Sequence, residues 1–262
     1  ATMVPRLRNA IVSLTDGRQI EAALVVGADG RNSAVRQHLA IAVRTWRYGQ
    51  KALVFNVWHG RPHDGVSTEI HRSGGPFTLV PLPDHEGKHR SAVVWMETGA
   101  HADELFRMPQ DAFEERLNRR SCGILGGLKL ASPRRIWPII AQEAERLAGP
   151  RAVLIAEASH VIPPIGAQGL NMSLRDIACL RDLLVQAREA GTDFGAPDVL
   201  NSYARNRRTD IAVRIRGVDM LNRMAMAETP ALRDLRRAGL HFLHETGPLR
   251  RAAMVAGLGA RG

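Results

Sequence analysis

Residues 151–190 read RAVLIAEASHVIPPIGAQGLNMSLRDIACLRDLLVQAREA, a short apolar run, a proline- and glycine-rich loop and a long periodic segment in succession. RAVLIAEA has the length and composition of a buried strand. In the segment beginning LNMSLRD, Leu170, Leu174, Ile177, Leu180 and Leu184 recur at three and four residues, the pattern of a helix with one apolar face. Gly191 follows as a stop. A second junction of the same kind lies near the start, where Leu24–Val26 runs into GADGRNSAVR and Ser33 is placed to cap a helix. Each junction ends its strand on an acid, Asp29 or Glu157.

In an open α/β sheet, ligands sit beyond the carboxyl ends of the strands. A carboxylate there can accept hydrogen bonds from ribose-like hydroxyls. The amides around Gly169, Leu170 and Asn171 would point from a helix start at negative charge. Gly166 and Gly169 let the backbone approach a flat ligand closely. The competing interpretation is two ordinary turns, with Asp29 a loop acid and Pro163-Pro164 a rigid connector.

Working outward, residues 10–26 form a hairpin about Asp16-Gly17. From about Ile41 to Trp137 the chain changes character. The strand-like pieces KALVFNVW, PFTLVPL and SAVVWM alternate with Gly-, Pro- and His-rich loops, and one helix, Pro109 to Arg119, interrupts them. After Pro197 a long helix carries Ile211, Ile215, Val218, Leu221 and Met224 on one face; Pro230 breaks it, and a second amphipathic helix follows over Leu232–Leu243. The expectation is an α/β domain, in two pieces covering 1–40 and 139–196, with a mixed or antiparallel β domain over 41–138 inserted into it and helices over 197–262.

Composition supports a packed globular protein: 262 residues, 45% hydrophobic, 24% charged. No apolar run approaches the roughly 18 residues of a membrane span, and the N-terminus lacks the apolar core of a secretory signal. With Cys122 and Cys179 in no CxxC pair, a reducing, cytoplasmic setting is expected. Net charge is +10, and all basic residues but Lys51, Lys88 and Lys129 are arginine. From Asn201 to the end there are twelve arginines against five acids, so the excess is concentrated in the last quarter. Such a surface suits a solvated helical face, an anionic membrane or an acidic partner. No nucleic-acid fold signature accompanies it, so nucleic acid is not expected.

Other candidates read as structural. His160 braces the loop after the second acid; His85 and His89 sit in a loop, PDHEGKH; His59/His63 and His241/His244 lack companion ligands, so no metal is expected. Ser159-His160 has no GxSxG elbow, the cysteines are small buried hydrophobes, and Trp46, Trp58, Trp95 and Trp137 are core or pocket wall.

The segment from Glu157 to Asn171 resembles the flavin-ribityl motif of the aromatic-ring hydroxylases, single-component FAD monooxygenases, and GADGRNSAVR resembles their Asp-Gly motif. The middle, TEIHRSGGPFTLVPLPDHEGKHRSAVVW, the run Tyr48–Ala52 and the tail LRDLRRAGLHFLHETGPLRRAAMVAGLG are similar to the ubiquinone-biosynthesis hydroxylases within that superfamily. The family's GxGxxG segment is not in this sequence, so the resemblance implies a truncated FAD-binding domain, Rossmann-like and of the glutathione-reductase type, with an inserted substrate domain. Glu157 stands where the superfamily usually has Asp, and Ala156 replaces a common Gly.

Carried over residue by residue, the resemblance implies a cofactor site and no protein catalytic residue. Glu157 would accept from a ribityl hydroxyl, and Pro164, Gly166, Gly169, Leu170 and Asn171 would line the isoalloxazine. Asp29 and Gly30 would support the pyrophosphate and the nicotinamide approach, Arg36 would brace that loop, and Gln50 would meet the flavin from the substrate domain. It implies FAD, NAD(P)H as electron donor and a prenylated phenol as substrate. A ubiquinone-biosynthesis complex, peripheral contact at the inner membrane and a homodimer are the implied associations. Two other readings stay open: a flavin-free basic interaction or membrane-associated module, and a related flavin monooxygenase with another aromatic substrate.

Overall fold

The computed structural model describes residues 2–72, 74–165 and 168–226, with Gly239, Phe242, 245–248 and 250–251 beyond them. The expected helix over Leu232–Leu243, apart from Gly239 and Phe242, and Gly166 of the expected site lie outside the described residues. The described chain forms two units, one from 2–46 and 140–220 and the other from 47–139 and 221–226.

The first unit opens with β1 (Thr2–Pro5), β2 (Ala10–Ser13) and β3 (Gln19–Ala22), an antiparallel meander. The β2–β3 turn is made at Asp16-Gly17, where Gly17 takes φ +86° and Asp16 accepts from the Arg18 amide at 3.1 Å. Next come β4 (Val25–Gly27) and α1 (Ala34–His38).

The second unit is built on an antiparallel sheet. From β5 (Val43–His59) the chain passes to β6 (Thr68–Arg72), β7 (Gly75–His85) and β8 (Lys88–Thr98), paired in the order β5–β8–β7–β6. The helices α2 (Gly99–Arg107) and α3 (Gln110–Arg120) follow, then β9 (Leu128–Leu130), which also pairs with β5. Strand alternation explains the core: Leu53, Phe55 and Val57 of β5 face Leu79, Val93 and Trp95, with Leu105, Phe113 and Leu117 from the helices filling the layer. The histidine-rich stretch is no loop. His85 and Lys88 pair across a two-residue turn at Glu86-Gly87, both at positive φ (+52° and +71°), the geometry that matches strand twist.

From β10 (Arg135–Ala144) the chain returns to the first unit with β11 (Ala148–Gly149), β12 (Ala152–Leu154), a 3-10 turn at Ala156–Ala158 and β13 (His160–Val161). The helices α4 (Gln168–Glu189) and α5 (Pro197–Met226) complete it. β12 pairs in parallel with β4, bringing residues 25–27 beside 152–154. The second apolar cluster joins Leu147, Val153, Ile155, Met172, Leu180, Leu200, Tyr203, Ile211 and Ile215.

The apolar row read on α4 is largely turned outward. Leu180 is buried, but Leu170, Leu174 and Ile177 are 69%, 53% and 49% exposed. The inward face is Met172, Asp176, Leu180 and Ala187, so a fully buried carboxylate takes a place that counting apolar residues gives to leucine. On α5, Ile211, Ile215 and Val218 are buried as the spacing predicts, whereas Leu221 and Met224 are exposed.

Candidate cofactor site

The parallel strands β4 and β12 end side by side in the first unit, and both acids lie just past their carboxyl ends. Gly27 is required there: a Cβ would stand 2.9 Å from Leu154 Cδ2 and 3.0 Å from the Val35 side chain. Asp29 turns one oxygen onto the start of α1, accepting from the Ala34 amide at 2.6 Å and the Val35 amide at 3.1 Å. Burial raises its pKa, but hydrogen bonds from the Ser33 hydroxyl and the Val35 and Ala34 amides outweigh this and hold it below the ordinary carboxylate value. Ser33 caps the helix as its position predicts, accepting from the Arg36 amide at 3.0 Å. Gly30 takes φ +81°.

Arg36 links the two junctions. Its buried guanidinium donates to the Ala158 carbonyl at 2.8 Å and the Arg31 carbonyl at 2.7 Å. Ala158 closes the 3-10 turn that carries Glu157, and Glu157 itself is exposed. At the other end of the turn, Ala156 has φ +54°, a left-handed conformation that costs a residue with a Cβ about 1–2 kcal/mol.

The turn is fixed from below by Asp176. One oxygen accepts from the Ala156 amide at 2.9 Å and pairs with His160 Nε2 at 2.8 Å; the other accepts from Arg207 Nε at 2.7 Å. Because that carboxylate only accepts, His160 carries its proton on Nε2. Asp176, His160 and Arg207 are 0%, 2% and 5% exposed. Arg207 also donates to Asp210 at 2.7 Å, and the buried Tyr203 hydroxyl donates to the Leu154 carbonyl at 3.0 Å. His160 is thus the structural histidine the sequence suggests. Asp176, Arg207 and Tyr203 were not legible as parts of the site; the one available signal was a charged residue in the midst of an apolar helix.

A cavity of about 250 Å³ lies above this network, lined by Glu157, His160, Val161, Ile162, Gly169, Leu170 and Ser173. Structure therefore brings Glu157, Gly169 and Leu170 together. Asn171 is half-buried on the first turn of α4, and Pro164 is exposed on the loop before it. Gln50 belongs to the second unit, where it is buried, donates to the Gly74 carbonyl at 3.0 Å and accepts from Asn222 Nδ2 at 3.0 Å. His59 and His89 stack at 6.0 Å, and among the described residues no group of three or more His, Cys, Asp and Glu is arranged to hold a metal.

The cavity residues fit a flavin. The Glu157 carboxylate has no protein partner among the described residues and suits a hydroxyl-bearing chain. A 22-residue helix opens beside it, and its first-turn amides lack intrahelical acceptors. Around Gly169 there is open space where a Cβ would stand.

An α/β unit with an exposed carboxylate past a strand end and beside a helix start is the arrangement of a dinucleotide- or flavin-binding class. The sequence pattern of the FAD binding domain family matches residues 7–215, and the chain belongs to that family. Ubiquinone hydroxylase UbiL of Rhodospirillum rubrum is 36% identical over 94% of this chain and 57% of its own length. The 3-demethoxyubiquinol 3-hydroxylase of Escherichia coli is 30% identical over 95% of this chain and 62% of its own. The chain thus spans about three-fifths of these relatives. The solved p-nitrophenol 4-monooxygenase from Pseudomonas putida superposes with a TM-score of 0.78 at 18% identity, covering 100% of this chain and 66% of that one. The Diels-Alderase of pyrroindomycin biosynthesis gives 0.75 at 21%, covering 100% and 55%. These structures share the fold. The expected α/β architecture and the likeness to ubiquinone-biosynthesis hydroxylases are borne out.

Proposed function

We propose that this chain forms the ribityl-binding and substrate-domain portion of an FAD-dependent monooxygenase that hydroxylates a prenylated phenol in ubiquinone biosynthesis, with NAD(P)H as reductant. The observation that carries the reading is the exposed Glu157 carboxylate beside the open first turn of α4. Bound reduced flavin supplies the oxygen activation needed to hydroxylate an electron-rich ring.

The chain's own residues bind and orient. Glu157 accepts from a ribityl hydroxyl, with one more methylene than an aspartate would have. The amides of Gly169, Leu170 and Asn171 would face the ring, and Pro164 and Gly166 would line it by the resemblance. Asp29 and Gly30 would support the pyrophosphate at the α1 start, and Gln50 is assigned a flavin contact by the resemblance. Asp176 and Arg36 hold the Glu157 turn in place. No catalytic acid–base pair is assigned, since the protein's part is orientation and exclusion of water.

A homodimer, a ubiquinone-biosynthesis complex and peripheral attachment at the cytoplasmic face of the inner membrane complete the proposal. Among the described residues no helix is long and apolar enough to cross a membrane, and the net charge of +10 suits an anionic surface.

The test is titration of the purified chain with FAD, followed by flavin fluorescence and visible absorption. Stoichiometric binding that Glu157→Ala weakens about tenfold, the worth of one hydrogen bond near 1.4 kcal/mol, supports the site. No binding by a folded, monodisperse sample would favour the flavin-free basic module, which salt-sensitive co-sedimentation with anionic vesicles then examines. NAD(P)H oxidation with prenylated against simple phenols separates the proposed substrate from another aromatic.

A further inference from the structure

Away from the Glu157 cavity, the first unit carries a larger groove of about 1050 Å³ between the start of β5, the end of β10 and α5. Four arginines line it, Arg44, Arg146, Arg205 and Arg208, together with Glu143 and Glu145. Among the described residues none of the four forms an ion pair with a carboxylate. Arg205 donates to the Ser202 hydroxyl at 3.0 Å, and Arg44 lies over the Trp46 ring at 5.1 Å. Elsewhere on α5 the pattern is the reverse: Arg207 and Arg214 are both paired with Asp210. The floor of the groove is apolar, with Leu147 and Ile211 buried to 5% and 1% exposure.

We propose that this groove binds a phosphate-bearing nucleotide, with the arginines on the phosphates, Glu143 and Glu145 accepting from ribose hydroxyls, and the floor under Leu147 and Ile211 receiving the base. The combination selects the ligand. Guanidinium groups recognise phosphate in a forked geometry, while a carboxylate serves a ribose hydroxyl. The two glutamates add hydroxyl acceptors beside the arginines, which a sugar-bearing phosphate uses and an acidic peptide does not. The volume is that of a site for a small molecule with cofactor dimensions.

One strand pair links the groove to the Glu157 cavity: Glu143 on β10, which lines the groove, is the register partner of His160 on β13, which lines that cavity. A nucleotide-bearing reductant is what the proposed function requires, and the assignment rests on that reading for the identity of the nucleotide. It names as its binding site a groove separate from Asp29 and Gly30.

The full chain, without flavin, is titrated with NADH and NADPH and followed by tryptophan fluorescence, with Trp46→Phe identifying the reporting residue. Saturable binding is expected, competed by inorganic pyrophosphate and weakened as salt rises. The double variant Arg205→Gln/Arg208→Gln should raise Kd at least tenfold while the FAD titration is unchanged. Absence of dinucleotide binding, or equal affinity in the double variant, overturns the assignment. So does a chain that ignores dinucleotides but binds phosphatidylglycerol vesicles through the same two arginines, since the anion would then be a lipid headgroup. Because FAD and dinucleotide binding are read separately, failure of one does not masquerade as failure of the other.

Discussion

Replacing Asp176 should damage this protein more than replacing any residue that lines the cavity. Its two oxygens receive the Ala156 amide, His160 Nε2 and Arg207 Nε at 2.7–2.9 Å, with the carboxylate fully buried. Asp176→Ala would leave a buried guanidinium with Asp210 alone and strand a backbone N–H. Breaking a buried ion pair costs about 3–5 kcal/mol and an unsatisfied amide about 1–3. The effects share one network and do not add fully, so a loss of about 4 kcal/mol is expected. At a urea m-value near 3 kcal/mol/M, that lowers the unfolding midpoint by more than ~1 M. Asp176→Asn should lose nearly as much, because all three partners donate and an amide must turn its NH₂ toward at least one of them. Asp176→Ala/Arg207→Met should recover part of the loss by removing the stranded charge. Urea unfolding by circular dichroism measures all three. A loss under about 1 kcal/mol in Asp176→Ala, or wild-type stability in Asp176→Asn, would refute the account of the network.

Three further outcomes follow from the same structure. Ala156→Gly should raise stability by about 1 kcal/mol, since φ +54° is strained for alanine and free for glycine; an unchanged midpoint would contradict the strain. Gly195→Ala should lose at least about 2 kcal/mol, because its Cβ would stand 2.5 Å from the Ala23 carbonyl oxygen and from Arg151 Nη1; wild-type behaviour in thermal melts would count against that packing. Asp210 governs an acid limb. Burial raises its pKa, but hydrogen bonds from Arg207 and Arg214 prevail and hold it below the ordinary 3.8 in the folded state. Its stabilisation is therefore complete above about pH 4 and is lost as pH falls through the lower folded value. Unfolding midpoints measured from pH 5 to pH 3 should fall less steeply in Asp210→Asn, and parallel slopes would dispose of the idea.

What could be read from the sequence was local. The Asp16-Gly17 hairpin, the Ser33 cap and the acids closing two strands each depend on neighbours within a few residues, and each is where the pattern puts it. The inward face of α4 escapes a count of apolar residues because its decisive member is Asp176, and a charge is inexpensive to bury only when partners exist for it. Those partners lie 16, 20 and 31 residues away, beyond the reach of any periodicity. The Gln50–Asn222 pair, 172 residues apart, is invisible for the same reason. Nothing local announces α2, which starts at Gly99 directly after β8 with Thr98 making no side-chain cap.

The turn bearing Glu157 has a consequence for anyone wishing to transplant it. Only three residues long, it owes its shape to a guanidinium 122 positions before Ala158 and a carboxylate 20 positions after Ala156. A peptide copied from this stretch would carry the letters without the form, because nothing within it enforces the left-handed step at Ala156. A graft into another scaffold must bring counterparts of Arg36, Asp176 and Arg207, or supply a glycine and new anchors. The minimal portable unit is therefore a constellation drawn from three distant parts of the chain, rather than a motif.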